Sequence, residues 1–240
     1  MPAIRTACPD LVGVDGCPGG WLAVIEQRSG PIVARAFESF AEILEAMPSS
    51  AWIGVDIPMG LPDAGARECE REARQILGRQ RMSSVFSAPL RRCLAATSYQ
   101  EACGIRARIE GKKMSRQAYG ILPKIREVDR LLRRDPRLQR RVVEVHPEVS
   151  FAIWNGGHAM KHSKKSLPGR AERCALIERV WPGMVDRARE SLRGKGCARD
   201  DLVDAFAALW TLRRWVVGKA LILGDPTCED RHWLVMRIVA

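Results

Sequence analysis

Two short apolar runs, LVGVDGCPGGW at residues 11–21 and WIGVDIPMGLP at residues 52–62, each carry one aspartate, Asp15 and Asp56, with Gly or Pro close behind. Val, Ile and Trp gathered into so few residues between turn formers predict buried strands of the parallel type. Ligands of α/β sheets collect just beyond the carboxyl ends of such strands, so both aspartates are expected at one rim.

The rest of the chain supplies the other layers. WLAVIEQ (21–27) and PIVARAF (31–37), separated by Arg28, Ser29 and Gly30, predict a hairpin, so the first three strands form an antiparallel meander. Ser39 caps a helix whose third position is Glu42, and Pro48 stops it before the strand that ends at Asp56. RRVVEVHPEVSF supplies a fifth strand that places Glu144 and His146 on one face, with Pro147 ending the ladder. A loop with Gly156, Gly157, His158, Lys161, Lys164 and Lys165 leads to a helix over about 169–180, and two short strands close the chain. This order predicts a mixed five-stranded sheet flanked by helices.

CARDDLVDAFAALW (197–210) opens a late apolar helix with Asp201 and Asp204 three residues apart, hence on one face. If that helix packs beside the two strands, four carboxylates converge. A pair about 4 Å apart repels by about 4 kcal/mol at an effective dielectric of about 20, so the cluster needs protons or cations. All-oxygen ligands suit Mg²⁺ or Mn²⁺. Simpler roles are also open: Asp15 as a turn residue bonding its own loop, and Asp200 or Asp201 as a helix cap with Asp204 closing a capping box.

The net charge of +11 is unevenly placed. Residues 67–141 hold 20 Lys and Arg against 8 Asp and Glu, and the remainder is nearly neutral. A basic, mostly helical insertion over about 62–140 therefore points to a polyanionic partner, nucleic acid being the simplest. Lys112, Lys113, Lys124 and Arg126 are its candidate contacts; a solvated arginine-rich surface is the plainer reading. Trp21 and Trp210 are expected as core anchors. The eight cysteines show no CxxC pair or zinc spacing and are expected as reduced thiols, with Cys17 filling a tight turn. No apolar run reaches the roughly 20 residues of a membrane span, and the first residues lack a secretion-signal core, so no membrane association and a cytoplasmic location are expected.

Taken together, GVDGCPGGW, GVDIPMGLP, SRQAYGILPKIREVD, EVHPEVSF and DDLVDAFAALW resemble domain of unknown function family 429, described as predicted ribonuclease H-like nucleases, and the pattern is similar to the RuvC-type resolvase branch of that fold. The resemblance covers nearly the whole chain as a single domain. It implies an α/β ribonuclease H-like sheet and a metal-dependent nuclease for structured nucleic acid, DNA or RNA. In that pattern Asp15 matches the first-strand aspartate, Asp56 the fourth-strand acid, and Asp201 with Asp204 the late-helix pair. Two ions would then activate a water and stabilise the leaving oxygen. Asp56 stands where the resolvases usually have glutamate, which implies a longer contact or a bridging water. Glu144, His146 and Glu148 recur in the family pattern and are expected behind the ligands or against substrate. Two other functions stay open: a phosphotransferase relative, since GVDGCPGG also resembles the first phosphate loop of acetate-kinase-like and actin-like ATPases, and a non-catalytic nucleic-acid-binding protein of the same fold.

Overall fold

The computed structural model describes residues 9–28 and 30–240, so Cys8 and the turn residue Ser29 lie outside the described residues. Strands β1 (Leu11–Cys17), β2 (Gly20–Glu26) and β3 (Ile32–Phe37) form the expected antiparallel meander. Helix α1 (Phe40–Ala46) starts at Ser39, whose Oγ accepts the Glu42 amide, while Glu42 accepts the Glu38 amide in return. It leads into β4 (Trp52–Val55), which runs parallel to β1. The basic segment folds as α2 (Glu68–Arg81), α3 (Tyr99–Glu110), α4 (Arg116–Gly120) and α5 (Leu122–Arg134), and β5 (Val142–Glu144) then adds a second parallel neighbour to β4. The sheet order is β3-β2-β1-β4-β5, with Asp15 on its central strand.

After β5 come α6 (Pro147–Trp154), α7 (Leu167–Val180), α8 (Met184–Ser191) and α9 (Arg199–Trp215). Two-residue strands β6 (Ile222–Leu223) and β7 (Ile238–Val239) pair at the end. Helices α6 and α8 carry no clear sequence signal. In α6 the first six residues are all buried, so it has no polar face to betray a helical period.

Alternation along the strands divides the core. Val12, Val14, Ile53 and Val55 face α1 and α5, whose Ile125, Val128 and Leu132 join them. The basic segment thus supplies one flanking layer of the sheet. Leu11, Val143 and Val145 face α9, which buries Ala205, Phe206, Leu209 and Leu212 against them. Gly13 and Gly54 lie on this α9 face and let the helix backbone come close: a Cβ on Gly13 would lie 2.1 Å from the Ala205 carbonyl oxygen. Trp21 is fully buried, and Trp210 stacks on Trp154 with ring centres 4.7 Å apart. Among the described residues no helix is long and apolar enough to cross a membrane.

Candidate metal centre

Parallel register brings the first two aspartates side by side. Val14 pairs with Val55, and the Asp56 amide donates to the Val14 carbonyl, so Asp15 and Asp56 occupy the next row, about 4.8 Å apart along the ladder. Being one step beyond Val14 and Val55, both point to the α9 face. There the second turn of α9 presents Asp204, only 1% exposed. The three carboxylates share one field. Burial, then Asp56 and Asp204, hold the Asp15 carboxyl well above its usual range. Burial, then Asp204, push Asp56 up to about 7.

Each aspartate is held differently. Asp15 Oδ1 accepts the Gly16 amide at 2.7 Å, so the turn role and the rim position coexist. Asp204 Oδ2 accepts from the ammonium of Lys164, while its Oδ1 is buried with no hydrogen-bond partner. Asp201 stands at the edge of the expected quartet. Its Oδ2 accepts the Ala198 amide at 2.8 Å, so it caps α9, and among the charges raising Asp15 it ranks last. The capping role also falls to Asp201 alone, because Asp204 faces the sheet from the following turn.

Asp15 and Asp56 open into a cleft of about 410 Å³ lined also by His146, Lys164, Lys124 and Phe86; Asp204 is not among its lining residues. His146 has a buried Nδ1 without a partner, and burial lowers its pKa to about 4, so it is neutral at pH 7. Glu144 and Glu148 line the same cleft, and each is engaged by an arginine. Glu144 takes both ends of the Arg67 guanidinium and also accepts the Met59 amide at 2.7 Å, pinning the loop that follows Asp56. Glu148 takes Arg173, which is 0% exposed, at 2.8 and 2.9 Å. Arg173 in turn donates to the carbonyls of His162 and Gly169, fixing the loop that carries Lys164.

Lys164 is the residue that sequence reasoning missed. It sits in a lysine-rich loop where nothing local separates it from Lys161 and Lys165. Asp204, and after it Asp56 and Asp15, hold its ammonium charged, raising its pKa despite burial.

The expected nucleic-acid contacts divide. Lys112 and Lys113 are exposed. Lys124 lies at the cleft wall, donating to the Gly20 carbonyl and stacking over Trp21 at 4.6 Å. Arg126 is a correction: it donates to the carbonyls of Leu94 and Ala96, so its hydrogen-bonding capacity serves the fold. Arg67 and Arg91 are likewise spent in buried ion pairs, Arg91 with Asp129 and Asp230.

The donor set is all oxygen, contains an orphaned buried carboxylate oxygen and carries more negative charge than one ammonium balances. These features fit a hard divalent cation. Preassembly is lacking: among the described residues no three His, Cys, Asp or Glu side chains stand in an arrangement that could hold a metal as they are. The seven described cysteines are free thiols. Cys17 and Cys197 touch at 3.4 Å where β1 ends and α9 begins, and burial with the neighbouring Cys17 pushes the Cys197 thiol up to about 12, so Cys197 packs as a neutral thiol.

A family model described as a protein of unknown function, DUF429, matches residues 13–228. No curated protein and no solved structure matches the chain significantly. The match takes in both strand aspartates and the late helix, and it spans well over half of the sequence: the chain belongs to the DUF429 family.

Proposed function

We propose that the protein is a divalent-metal-dependent nuclease of ribonuclease H-like architecture that acts on structured nucleic acid. One observation carries this reading. Asp15 and Asp56 line a cleft at the carboxyl ends of a parallel strand pair and share one electrostatic field with buried Asp204, one of whose carboxylate oxygens is left unpaired. Asp15, Asp56 and Asp204 would hold Mg²⁺ or Mn²⁺, which when bound lowers the pKa of water and offsets charge on a phosphate. The chain's own groups account for the remaining needs. Neutral His146 lines the cleft and offers an unpartnered nitrogen that can accept a hydrogen bond. Lys124 and Lys165 line the walls where phosphates would pass, and Lys112 and Lys113 are exposed basic residues of the same segment as Lys124. Phe86, 46% exposed, offers a ring face to an unstacked base.

The test is cleavage of branched and hybrid substrates with Mn²⁺ by the wild type and by Asp15→Asn. Loss of cleavage in the variant is expected; equal cleavage removes the mechanism.

A second reading, a non-catalytic nucleic-acid-binding protein, is favoured by the Lys164–Asp204 pair and the lack of a preassembled ligand trio. It predicts unchanged binding and no cleavage by the wild type. The phosphotransferase alternative needs a second comparable domain. The described residues contain one five-stranded sheet and one two-stranded pair.

A further inference from the structure

We propose that the Lys164 ammonium is a permanent cation of the carboxylate cluster, taking the place of one of two divalent ions, so that the site accepts a single Mg²⁺ or Mn²⁺. This inference rests on the metal-dependent reading above. Three observations support it.

The first is how Asp204 is used. One of its oxygens accepts from Lys164 and the other is buried without a partner, so the carboxylate is occupied on one side and vacant on the other. Asp204 would offer its vacant oxygen to a divalent ion while the ammonium keeps the other.

The second is that the lysine is delivered by built machinery. Its loop is tied by the His162 amide to Glu172 at 3.0 Å and by the His162 carbonyl to Arg173. Ser166 caps α7 through the Gly169 amide, and a Cβ on Gly169 would lie 1.9 Å from the Ser163 carbonyl oxygen. Loop and helix therefore interlock one residue before Lys164. Arg173 is itself fixed by both oxygens of Glu148. A lysine that merely decorated a surface would need none of these restraints. Arg173 and Glu148 are positioning residues in this scheme, acting through the loop.

The third is charge. Three carboxylates and one ammonium leave two negative charges, which one divalent ion cancels. A second divalent ion would leave the pocket positive by two, beside an ammonium whose loop is tied in place. Asp201 stands outside this count: its carboxylate caps the helix end, and it is the weakest of the charges that raise Asp15.

The experiment is Mn²⁺ binding to the full chain, by calorimetry and by electron paramagnetic resonance of free Mn²⁺, for the wild type, Lys164→Met and Lys164→Arg. Expected are one ion per wild-type chain, a second ion or about tenfold tighter binding for Lys164→Met, and wild-type behaviour for Lys164→Arg. Two ions on the wild type overturn the inference, leave the nuclease reading standing, and need no variant to fold. One ion with unchanged affinity in Lys164→Met also overturns the inference alone. No ion on the wild type but one on Lys164→Met overturns the single-ion inference together with the metal-dependent reading for the native chain, since the ammonium then fills the site outright. No ion on either removes both.

Discussion

Gly13 of β1 and Ala205 of α9 touch so closely that a Cβ on Gly13 would lie 2.1 Å from the Ala205 carbonyl oxygen and 2.4 Å from the Leu209 amide. Neither obstacle is a side chain that could swing aside. This contact sets the height of α9 over the sheet, and with it the distance from Asp204 to Asp15, two residues beyond Gly13.

Gly13→Ala is therefore expected to destabilise the fold by about 2–4 kcal/mol, because α9 must lift or tilt. Denaturant unfolding measures it. Gly104→Ala in α3 serves as the control: its nearest neighbour is an Arg108 nitrogen at 3.7 Å, and helix propensity predicts a gain of about 1 kcal/mol. A Gly13→Ala protein as stable as the wild type contradicts the close packing.

Asp56 gives a pH signature. Its folded pKa of about 7 lies above the ordinary 3.8, so folding takes up a proton between those values. The stability it contributes is whole below about pH 4 and is lost as the pH rises through 7. For a sealed group that amounts to about 4 kcal/mol, and its opening onto the cleft brings the expectation nearer 2 kcal/mol. His146 has the opposite slope, since its pKa is lowered to about 4. Comparing Asp56→Asn with the wild type cancels the histidine. Without metal, the variant's melting temperature is expected to gain on the wild type from pH 4 to pH 8; a constant gap contradicts the assigned field.

Arg173 and Glu148 form a buried pair that also holds the Lys164 loop. Arg173→Met leaves Glu148 charged and unpaired, and a loss of about 3–5 kcal/mol is expected. The double variant Arg173→Met with Glu148→Leu is expected to lose less than the single. A double-mutant cycle measures the coupling, and additive losses argue against a direct pair.

Nucleic-acid binding should separate the two kinds of basic residue. Lys112→Glu with Lys113→Glu is expected to weaken binding and flatten its salt dependence without altering the melting temperature. Arg126→Ala is expected to destabilise the protein by about 1–3 kcal/mol, through the Leu94 and Ala96 carbonyls it leaves unpaired. Fluorescence anisotropy across a salt series, with thermal melts alongside, decides between them.

The strands were legible because Val, Ile and Trp runs between Gly and Pro have few other uses, and their parallel register then carries Asp15 next to Asp56. The late helix was legible for the same reason, through its apolar length. Asp201 and Asp204 look equivalent by spacing, yet the helix end claims the first. Helix α6 was hidden because its leading residues are all buried, and Pro147, read as ending a strand, sits in the first turn of a helix. Lys164 was hidden because a lysine acquires this role only through tertiary ties, here from Arg173 on α7 to Glu148 on α6. The paired glutamates show the same limit: sequence marks them as acids near the site, and only the fold shows that arginines had taken them.

The most direct measurement is anomalous scattering from crystals soaked in Mn²⁺. The account predicts one peak at the carboxyl ends of β1 and β4, against Asp15, Asp56 and the free oxygen of Asp204, with Lys164 still on the other oxygen. Crystals that diffract well and show no manganese among these three aspartates would contradict it.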